Sequence, residues 1–213
     1  MTSRLQFAQG FLFSLLISIG ALLTALFLGV IFGAMSTTKS KILRFLSRVY
    51  VEFYQNTPLL VQFVIIYCGL PLISNFVLMP SIYWTAVICV GLYHGAYIAE
   101  VIRTGIEAVP VGQTEAALSQ GFTYIETMRL IILPQAIRTI LPPMANQVVN
   151  LIKNTSTVAI IGGVDIMFMT KHWSAVHSNY IPPFLTAAIL YFILCFPLAT
   201  FASRCAAKNK EAY

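Results

Sequence analysis

Polar residues recur at helical spacing inside one of the long apolar stretches of the chain. Asn146, Asn150 and Lys153 are separated by four and three residues, so a helix would carry them on one face. Polar side chains inside a membrane segment are costly, and they usually face the interior of a helix bundle or a permeation path. Pro142-Pro143 is expected to break this helix, and the backbone groups that it frees could bind an ammonium or carboxylate group. The pattern predicts a path for a small polar solute.

Other polar residues in apolar surroundings extend this candidate path. The predicted path residues are Thr57 and Gln62 at the start of a second apolar run, Tyr97 and Glu100 in a third, and Asn146, Gln147, Asn150, Lys153, Asn154, Thr155 and Ser156 in and after a fourth. Two groups among them have a simpler interpretation. Glu100 and Arg103 are one helical turn apart and are expected to pair near the cytoplasmic surface. His94 lies within Gly91-x-x-x-Gly95 and is expected to hydrogen-bond a neighbouring helix.

The composition indicates that these residues belong to membrane-spanning helices. Of the 213 residues, 58% are hydrophobic and 9% are charged, whereas soluble domains carry roughly 25% charged residues. A span needs about 20 apolar residues. The apolar runs predict an all-α integral membrane protein, a single domain over residues 1–213. Its five transmembrane helices are expected near 11–35, 58–73 (with a start as early as 51), 82–102, 137–161 and 182–202.

The distribution of positive charge predicts the orientation of these spans, because cytoplasmic loops are rich in Lys and Arg. With the first loop in the cytoplasm, Arg4 and Lys171 are outside and ten basic residues are inside. The ten are Lys39, Lys41, Arg44, Arg48, Arg103, Arg129, Arg138, Arg204, Lys208 and Lys210. The N-terminus is therefore predicted outside and the C-terminus inside. The stretch from 162 to 181 is predicted to be a polar external loop.

Several kinds of site are not expected on this chain. The net charge of +6 marks cytoplasmic loops rather than a nucleic-acid surface. The cysteines, Cys68, Cys89, Cys195 and Cys205, fit neither a zinc site nor a CxxC redox pair and are interpreted as packing residues. The sequence contains no GxxxxGK[ST], so it has no P-loop for ATP. We predict no metal, no cofactor and no catalytic group on this chain.

A stretch between the third and fourth spans, about residues 110–135, is amphipathic rather than apolar. Its first helix is expected to begin near Thr114-Glu115 and to stop at Gly121, since glycine commonly follows a helix end. Its second is expected to follow Thr123, because Thr123-x-x-Glu126 is a capping-box pattern. From these features alone, the stretch is either an interfacial helix resting on lipid or a docking site for another protein.

At this stretch the chain resembles the permease subunits of bacterial ATP-binding-cassette (ABC) importers, in their polar amino-acid uptake family. The residues that match the family's EAA motif are Glu115, Ala116, Ala117, Gly121, Leu133 and Pro134. The stretches NTPLLVQ (56–62), AYIAEVIR (96–103), PVGQ (110–113) and KNTS (153–156) are similar to the same family. Together these motifs extend over roughly residues 50 to 165, in the family's order.

The resemblance implies that the EAA residues form a coupling helix that docks on a cytoplasmic ATPase. It implies an importer in the bacterial inner membrane with two permease subunits, identical or different, two ABC ATPase subunits that hold ATP and Mg, and an external amino-acid-binding protein. This chain would form the translocation path within the lipid and would not be an enzyme itself. The alternative is a self-sufficient secondary amino-acid transporter or channel, for which only Glu100 and Lys153 could titrate near the spans.

The path residues favour a neutral polar or acidic amino acid as the solute. The resemblance implies acidic residues between positions 147 and 154 when the solute is cationic, and this chain has Gln147, Lys153 and Asn154 there. A buried guanidinium or ammonium group needs a carboxylate partner. The chain also has Gln55-Asn56 before Thr57-Pro58, where many members of the family have Arg-Gly, so an anion-binding role of that arginine is not expected here.

Overall fold

The computed structural model describes the backbone of residues 3–210 and the side chains of residues 4–204. The side chains of Cys205, Lys208 and Lys210 therefore lie outside the described part. All regular elements within the described range are helices. The α-helices are α1 (Ser3–Ser36), α2 (Lys41–Asn56), α3 (Leu59–Val64), α4 (Leu70–Ile73), α5 (Ile82–Glu107), α6 (Val111–Ser119), α7 (Tyr124–Thr127), α8 (Leu133–Asn154), α9 (Ile166–His177) and α10 (Ile181–Lys210).

Three of the described helices are long and apolar enough to cross a membrane, namely α1, α5 and α10. Two bent pairs raise the number to five if each pair is counted as one span. The first pair is α2 with the segment Leu59–Ile73, at 100°, and the second is Tyr124–Ile161 with α9, at 48°. The molecule is therefore an all-helical, multi-pass membrane protein.

Helices α1 and α5 form the centre of the bundle and pack through small residues. A Cβ atom on Gly29 would overlap the side chain of Ile98, and one on Gly33 would lie 2.8 Å from the Cβ of Ile102. Ala21 and Ala25 are fully buried on the same helix. Gly29 and Gly33, four residues apart, therefore serve the packing of α1 on α5, because only small residues let two helices approach this closely.

The second apolar run does not form one straight helix. α2 is a separate amphipathic helix that ends at Asn56, and Thr57 and Pro58 are extended before α3 begins. Proline disfavours a helical residue before it, which ends α2 at this point. A π-helical turn, Ile65–Gly69, then joins α3 to α4.

The prediction that Pro142-Pro143 breaks the fourth apolar helix is wrong. Both prolines lie inside α8, which runs without interruption from Leu133 to Asn154. Proline removes one backbone hydrogen bond, but α8 packs against α5 and α10 along its length, and this packing keeps it helical. The helix changes instead after Asn154, where it tightens into a 3-10 segment, Thr155–Ile161, that ends at Gly162 with φ +81°.

The predicted external loop from 162 to 181 is also wrong, since most of it is the helix α9. Asp165 caps this helix by accepting a hydrogen bond from the backbone N–H of Phe168 at 2.8 Å. Ile166, Thr170 and Ser174 are buried at intervals of four residues, so one face of α9 packs against the bundle. Lys171, His172 and His177 are exposed. Because these polar residues lie close to the buried ones in the sequence, the sequence of the stretch predicts a polar loop.

Candidate transport site and coupling segment

The polar stripe of α8 is defined by Asn146, Asn150 and Lys153, and all three side chains are exposed. They share one face of a continuous helix, as their spacing predicts. Amide and ammonium groups are unfavourable against lipid tails. The polar stripe therefore requires water or a second protein surface beside it, whereas the neighbouring residues Val149, Leu151 and Ile152 are buried in the chain's own core.

Asn154 follows the polar stripe and contacts the middle of α5, where Tyr93, His94 and Tyr97 lie. Its amide nitrogen Nδ2 lies 3.0 Å from Nε2 of His94, which is 2% exposed. This contact confirms the prediction that His94 hydrogen-bonds a neighbouring helix. The hydroxyl oxygens of Tyr93 and Tyr97 are 3.1 Å apart, and the rings of His94 and Tyr97 have centroids 6.2 Å apart. α5 therefore presents a tyrosine–histidine cluster to the end of α8, and Gln147 on α8 also interacts with His94.

The remaining residues after the polar stripe bond to their own backbone. The hydroxyl of Thr155 donates to the carbonyl of Ile152 at 2.8 Å and is fully buried. The hydroxyl of Ser156 donates to the carbonyl of Lys153 at 2.7 Å. These two hydroxyls stabilise the change from α-helix to 3-10 helix, whereas Asn154 directs its amide to α5.

Thr57 and Gln62 stand on either side of the bend between α2 and α3. The side-chain amide of Gln62 donates to the hydroxyl oxygen of Thr57 at 2.9 Å and to its carbonyl at 3.3 Å. Gln62 is 6% exposed, and its Oε1 has no hydrogen-bond partner among the described residues. The pair holds the bend and leaves one buried acceptor oriented into the bundle.

Glu100 lies in the C-terminal third of α5. Its carboxylate accepts a hydrogen bond from Nε of Arg103 at 2.9 Å, and Arg103 also pairs with Glu107. The prediction that Glu100 and Arg103 pair is confirmed. These groups line a cleft of about 580 Å³ between α2 and α5, together with Lys41, Arg44, Arg48 and Glu52. None of the residues of the polar stripe on α8 lines this cleft.

The coupling segment, defined as the predicted stretch of about residues 110–135, contains α6, which begins at Val111, three residues earlier than predicted. Glu115 and Ala116 are exposed, whereas Ala117 is 3% exposed. Gly121 has φ +88°, and backbone hydrogen bonds run from Phe122 N–H to the Ala117 carbonyl and from Gly121 N–H to the Leu118 carbonyl. This is a Schellman motif with Gly121 in the left-handed position, so the predicted role of Gly121 at the helix end is confirmed.

The predicted capping box is also confirmed at α7. The backbone N–H of Glu126 donates to the hydroxyl oxygen of Thr123 at 3.3 Å, and the backbone N–H of Thr123 donates to the Glu126 carboxylate at 2.8 Å. The backbone and hydroxyl hydrogen bonds from Thr123 hold the pKa of Glu126 below its usual range. A π-helical turn, Met128–Ile132, then leads directly into α8, with Leu133 and Pro134 in its first turn.

Sequence reasoning missed Asp165, which is fully buried where α1, α9 and α10 meet. The hydroxyl of Tyr191 donates to its carboxylate at 3.3 Å, and the adjacent backbone N–H of Ile166 donates to the hydroxyl oxygen of Ser14 at 3.3 Å. An Asp directly before buried residues spaced by four is a helix-start signal. That signal identifies Asp165 as a cap, but it does not reveal the contacts from α1 and α10.

Comparisons with known proteins agree with this arrangement. Residues 25–208 match the family of binding-protein-dependent transport system inner membrane components. The probable glutamine ABC transporter permease protein GlnM of Bacillus subtilis is 39% identical over 91% of this chain and 88% of its own length. The putative glutamine transport system permease protein GlnP of Rickettsia typhi is 37% identical over 87% and 84%. The arginine transport system permease protein ArtQ of B. subtilis is 31% identical over 87% and 84%.

Solved structures show the same fold over nearly the whole chain. A crystal structure of an amino acid ABC transporter with histidines superposes with a TM-score of 0.87 at 30% identity, covering 96% of this chain and 94% of the other. A chain of the inward-facing MetNI methionine ABC transporter superposes with a TM-score of 0.79 at 15% identity, over 98% and 99%. The chain therefore belongs to the binding-protein-dependent transport system inner membrane components, as a permease subunit of the amino-acid ABC importers.

Proposed function

We propose that this permease carries a neutral polar amino acid, with glutamine as the first candidate. The observation that supports this most strongly is the polar stripe of α8, where Asn146, Asn150 and Lys153 offer amide and ammonium groups and no carboxylate. A cationic side chain in a membrane path needs an anionic partner. The relatives named for glutamine are also more similar to this chain than the relative named for arginine.

The proposed assembly has two permease subunits, two ATPase subunits that hold ATP and Mg, and an external binding protein, in a bacterial inner membrane. The exposed polar stripe supports a second permease subunit, identical or different, because two such faces would enclose a water-lined path. Five spans with the N-terminus outside would leave the coupling segment in the cytoplasm. In this proposal the second span comes from the pair bent at 100°, and the fourth comes from the part of the pair bent at 48° that follows the coupling segment.

The coupling segment is proposed to dock on an ATPase subunit through its exposed residues, Glu115 and Ala116, with Ala117 and Gly121 fixing the shape of the turn. Helical structure is continuous from Tyr124 through the π turn and α8 to Ile161. Movement of the docked segment would therefore be passed along one helical rod, through Leu133 and Pro134 at the start of α8, to the polar stripe. ATP hydrolysis belongs to the partner in this scheme, and this chain moves without catalysing a reaction.

The test is uptake by the complete importer in proteoliposomes, with its ATPase and binding protein. We expect labelled glutamine to be taken up with ATP inside, and unlabelled glutamine or asparagine to compete better than arginine or lysine. Preferred uptake of arginine or lysine would contradict the substrate class. Uptake by this chain alone, driven by an ion gradient, would contradict the ATP-driven assembly.

A further inference from the structure

His94 makes a contact between helices that packing alone does not require. Its imidazole is 2% exposed, its Nε2 is 3.0 Å from Nδ2 of Asn154, and Gln147 also interacts with it. No well-formed hydrogen bond reaches its Nδ1 from the described residues. A buried polar atom without a partner is unfavourable. A leucine would fill a similar volume without that penalty, so the imidazole is explained better by what it does to Asn154 than by the space that it fills.

The backbone that carries His94 is fixed on both sides by close packing. A Cβ atom on Gly91 would lie 2.7 Å from the side chain of Thr24 on α1, and one on Gly95 would lie 2.6 Å from the hydroxyl of Tyr50 on α2. Gly91 and Gly95 therefore let α5 lie directly against α1 and α2. The imidazole between them is a rigid reference point for any group that bonds to it.

Asn154 is the more exposed partner of this pair. It is half-buried, it is the last residue of α8, and it adjoins both Lys153 of the polar stripe and the start of the 3-10 segment. A primary amide has a donor end and an acceptor end. When Nδ2 donates to His94, the donor end is engaged and Oδ1 remains for another donor.

We propose that His94 is a positioning residue that fixes the amide of Asn154, so that its carbonyl oxygen faces the path and selects solutes that carry an N–H donor. This inference rests on the proposed function and on the prediction from the sequence that Asn154 lines the path. A carbonyl oxygen accepts a hydrogen bond from the side-chain amide of glutamine but is repelled by the carboxylate of glutamate. The permease thereby adds its own discrimination of an amide from an acid to that of the binding protein.

A matched pair of substitutions tests the bond to Nε2. The amide of glutamine reaches about as far as Nε2 of histidine, whereas that of asparagine reaches only as far as Nδ1. We expect His94→Gln to retain the native ratio of glutamine to glutamate uptake within about twofold. We expect His94→Asn to lower that ratio about five- to tenfold, the size of one lost hydrogen bond, mainly through KM for glutamine. All variants are measured in the complete importer with the same binding protein.

Two further variants separate the possible failures. If Asn154→Ala leaves the ratio unchanged, Asn154 does not line the path and the prediction from the sequence is wrong, while uptake of glutamine by the complete importer still tests the proposed function separately. If Asn154→Ala lowers the ratio but His94→Gln and His94→Asn behave alike, only the role of His94 is wrong. In the Asn154→Ala background the two His94 variants should not differ, because the group on which they act is absent. Should His94→Asn fail to assemble, His94→Leu replaces it, since leucine cannot bond Asn154.

Discussion

At the scale of single residues, the backbone conformation of Gly121 determines which residue types its position tolerates. Its φ of +88° lies in the left-handed region, and a Cβ atom there would meet no other atom within 4 Å. Any penalty for a side chain therefore arises from backbone strain and not from a clash within the chain. Gly121 lies between the two helices of the coupling segment, so strain there alters the angle at which α6 meets α7.

We expect substitutions of Gly121 to weaken binding of the ATPase in the order Asn, Ala, Val. Asparagine tolerates a positive φ, alanine loses about 1–2 kcal/mol there, and a β-branched residue loses more. The measurement is the fraction of ATPase that co-purifies with each variant from membranes. Asn is the control, because it is larger than Ala. If Asn is as damaging as Val, the side chain blocks docking and the strain argument is wrong.

Gly121 and Thr123 also show what the sequence could predict. The helix end at Gly121 and the capping box at Thr123 each depend on residues within six positions of one another, so the local sequence contains all of the contacts that form them. Asp165 is different, because Tyr191 and the segment at Ser14 reach it from distant parts of the chain. Contacts between residues close in the sequence can be predicted from the sequence. The contacts of a buried carboxylate such as Asp165 are recognised only when the fold has brought its distant partners next to it.

At the scale of elements, the difference between local and distant contacts explains the two predictions that were wrong. Pro142 and Pro143 are strong local signals for a helix break, but packing against α5 and α10 keeps α8 continuous. In α9 one face has buried residues at intervals of four, but the exposed polar residues beside it led to the prediction of a loop. Tertiary contacts decided both elements, and the continuous α8 is what links the coupling segment to the polar stripe.

The packing of α1 on α5 gives a prediction at this scale. We expect Gly33→Ala to destabilise the protein by about 1–3 kcal/mol, because the added Cβ would lie 2.8 Å from the Cβ of Ile102 and neither helix can yield easily. That loss corresponds to a fall of roughly 2–10 °C in the temperature of half-unfolding, measured on the purified protein in detergent.

Gly69→Ala is the matched control for this change. Gly69 is also within a helical segment, and the nearest atom to its added Cβ, in the Ile65 side chain, is 3.9 Å away. The two variants add the same methyl group, so they differ only in the space available. Equal unfolding temperatures for Gly33→Ala and Gly69→Ala would show that close approach of α1 and α5 contributes little to stability.

At the scale of the whole molecule, the exposed surface has two distinct chemical characters. In the apolar window of α10 only 6% of residues are buried, and its exposed residues include Ile189, Phe192 and Phe196. In the corresponding window of α5, 61% are buried. α5 is therefore the centre of the bundle and α10 a peripheral helix with an exposed apolar face suited to lipid, whereas the exposed face of α8 carries the polar stripe. A permease that works alone would leave that stripe in lipid, and a pair of permeases would enclose it.

This difference predicts which positions water can reach in the assembled importer. Cys68, Cys89, Cys195 and Cys205 are first replaced, and single cysteines are then placed at Asn146, Asn150 or Lys153, or at Ile189, Phe192 or Phe196. A membrane-impermeant maleimide should label the α8 positions about tenfold faster or more, because the reactive thiolate forms in water and not in hydrocarbon. Ser119→Cys in the exposed end of α6 serves as the reference for full access.

Labelling at the α8 positions should also change when the ATPase is held closed by ATP, because the stripe lies on the helical rod that continues from the coupling segment. Equal, slow labelling at all six positions would place the stripe in a dry interface between subunits, and the path would then have to be sought at the Thr57–Gln62 bend.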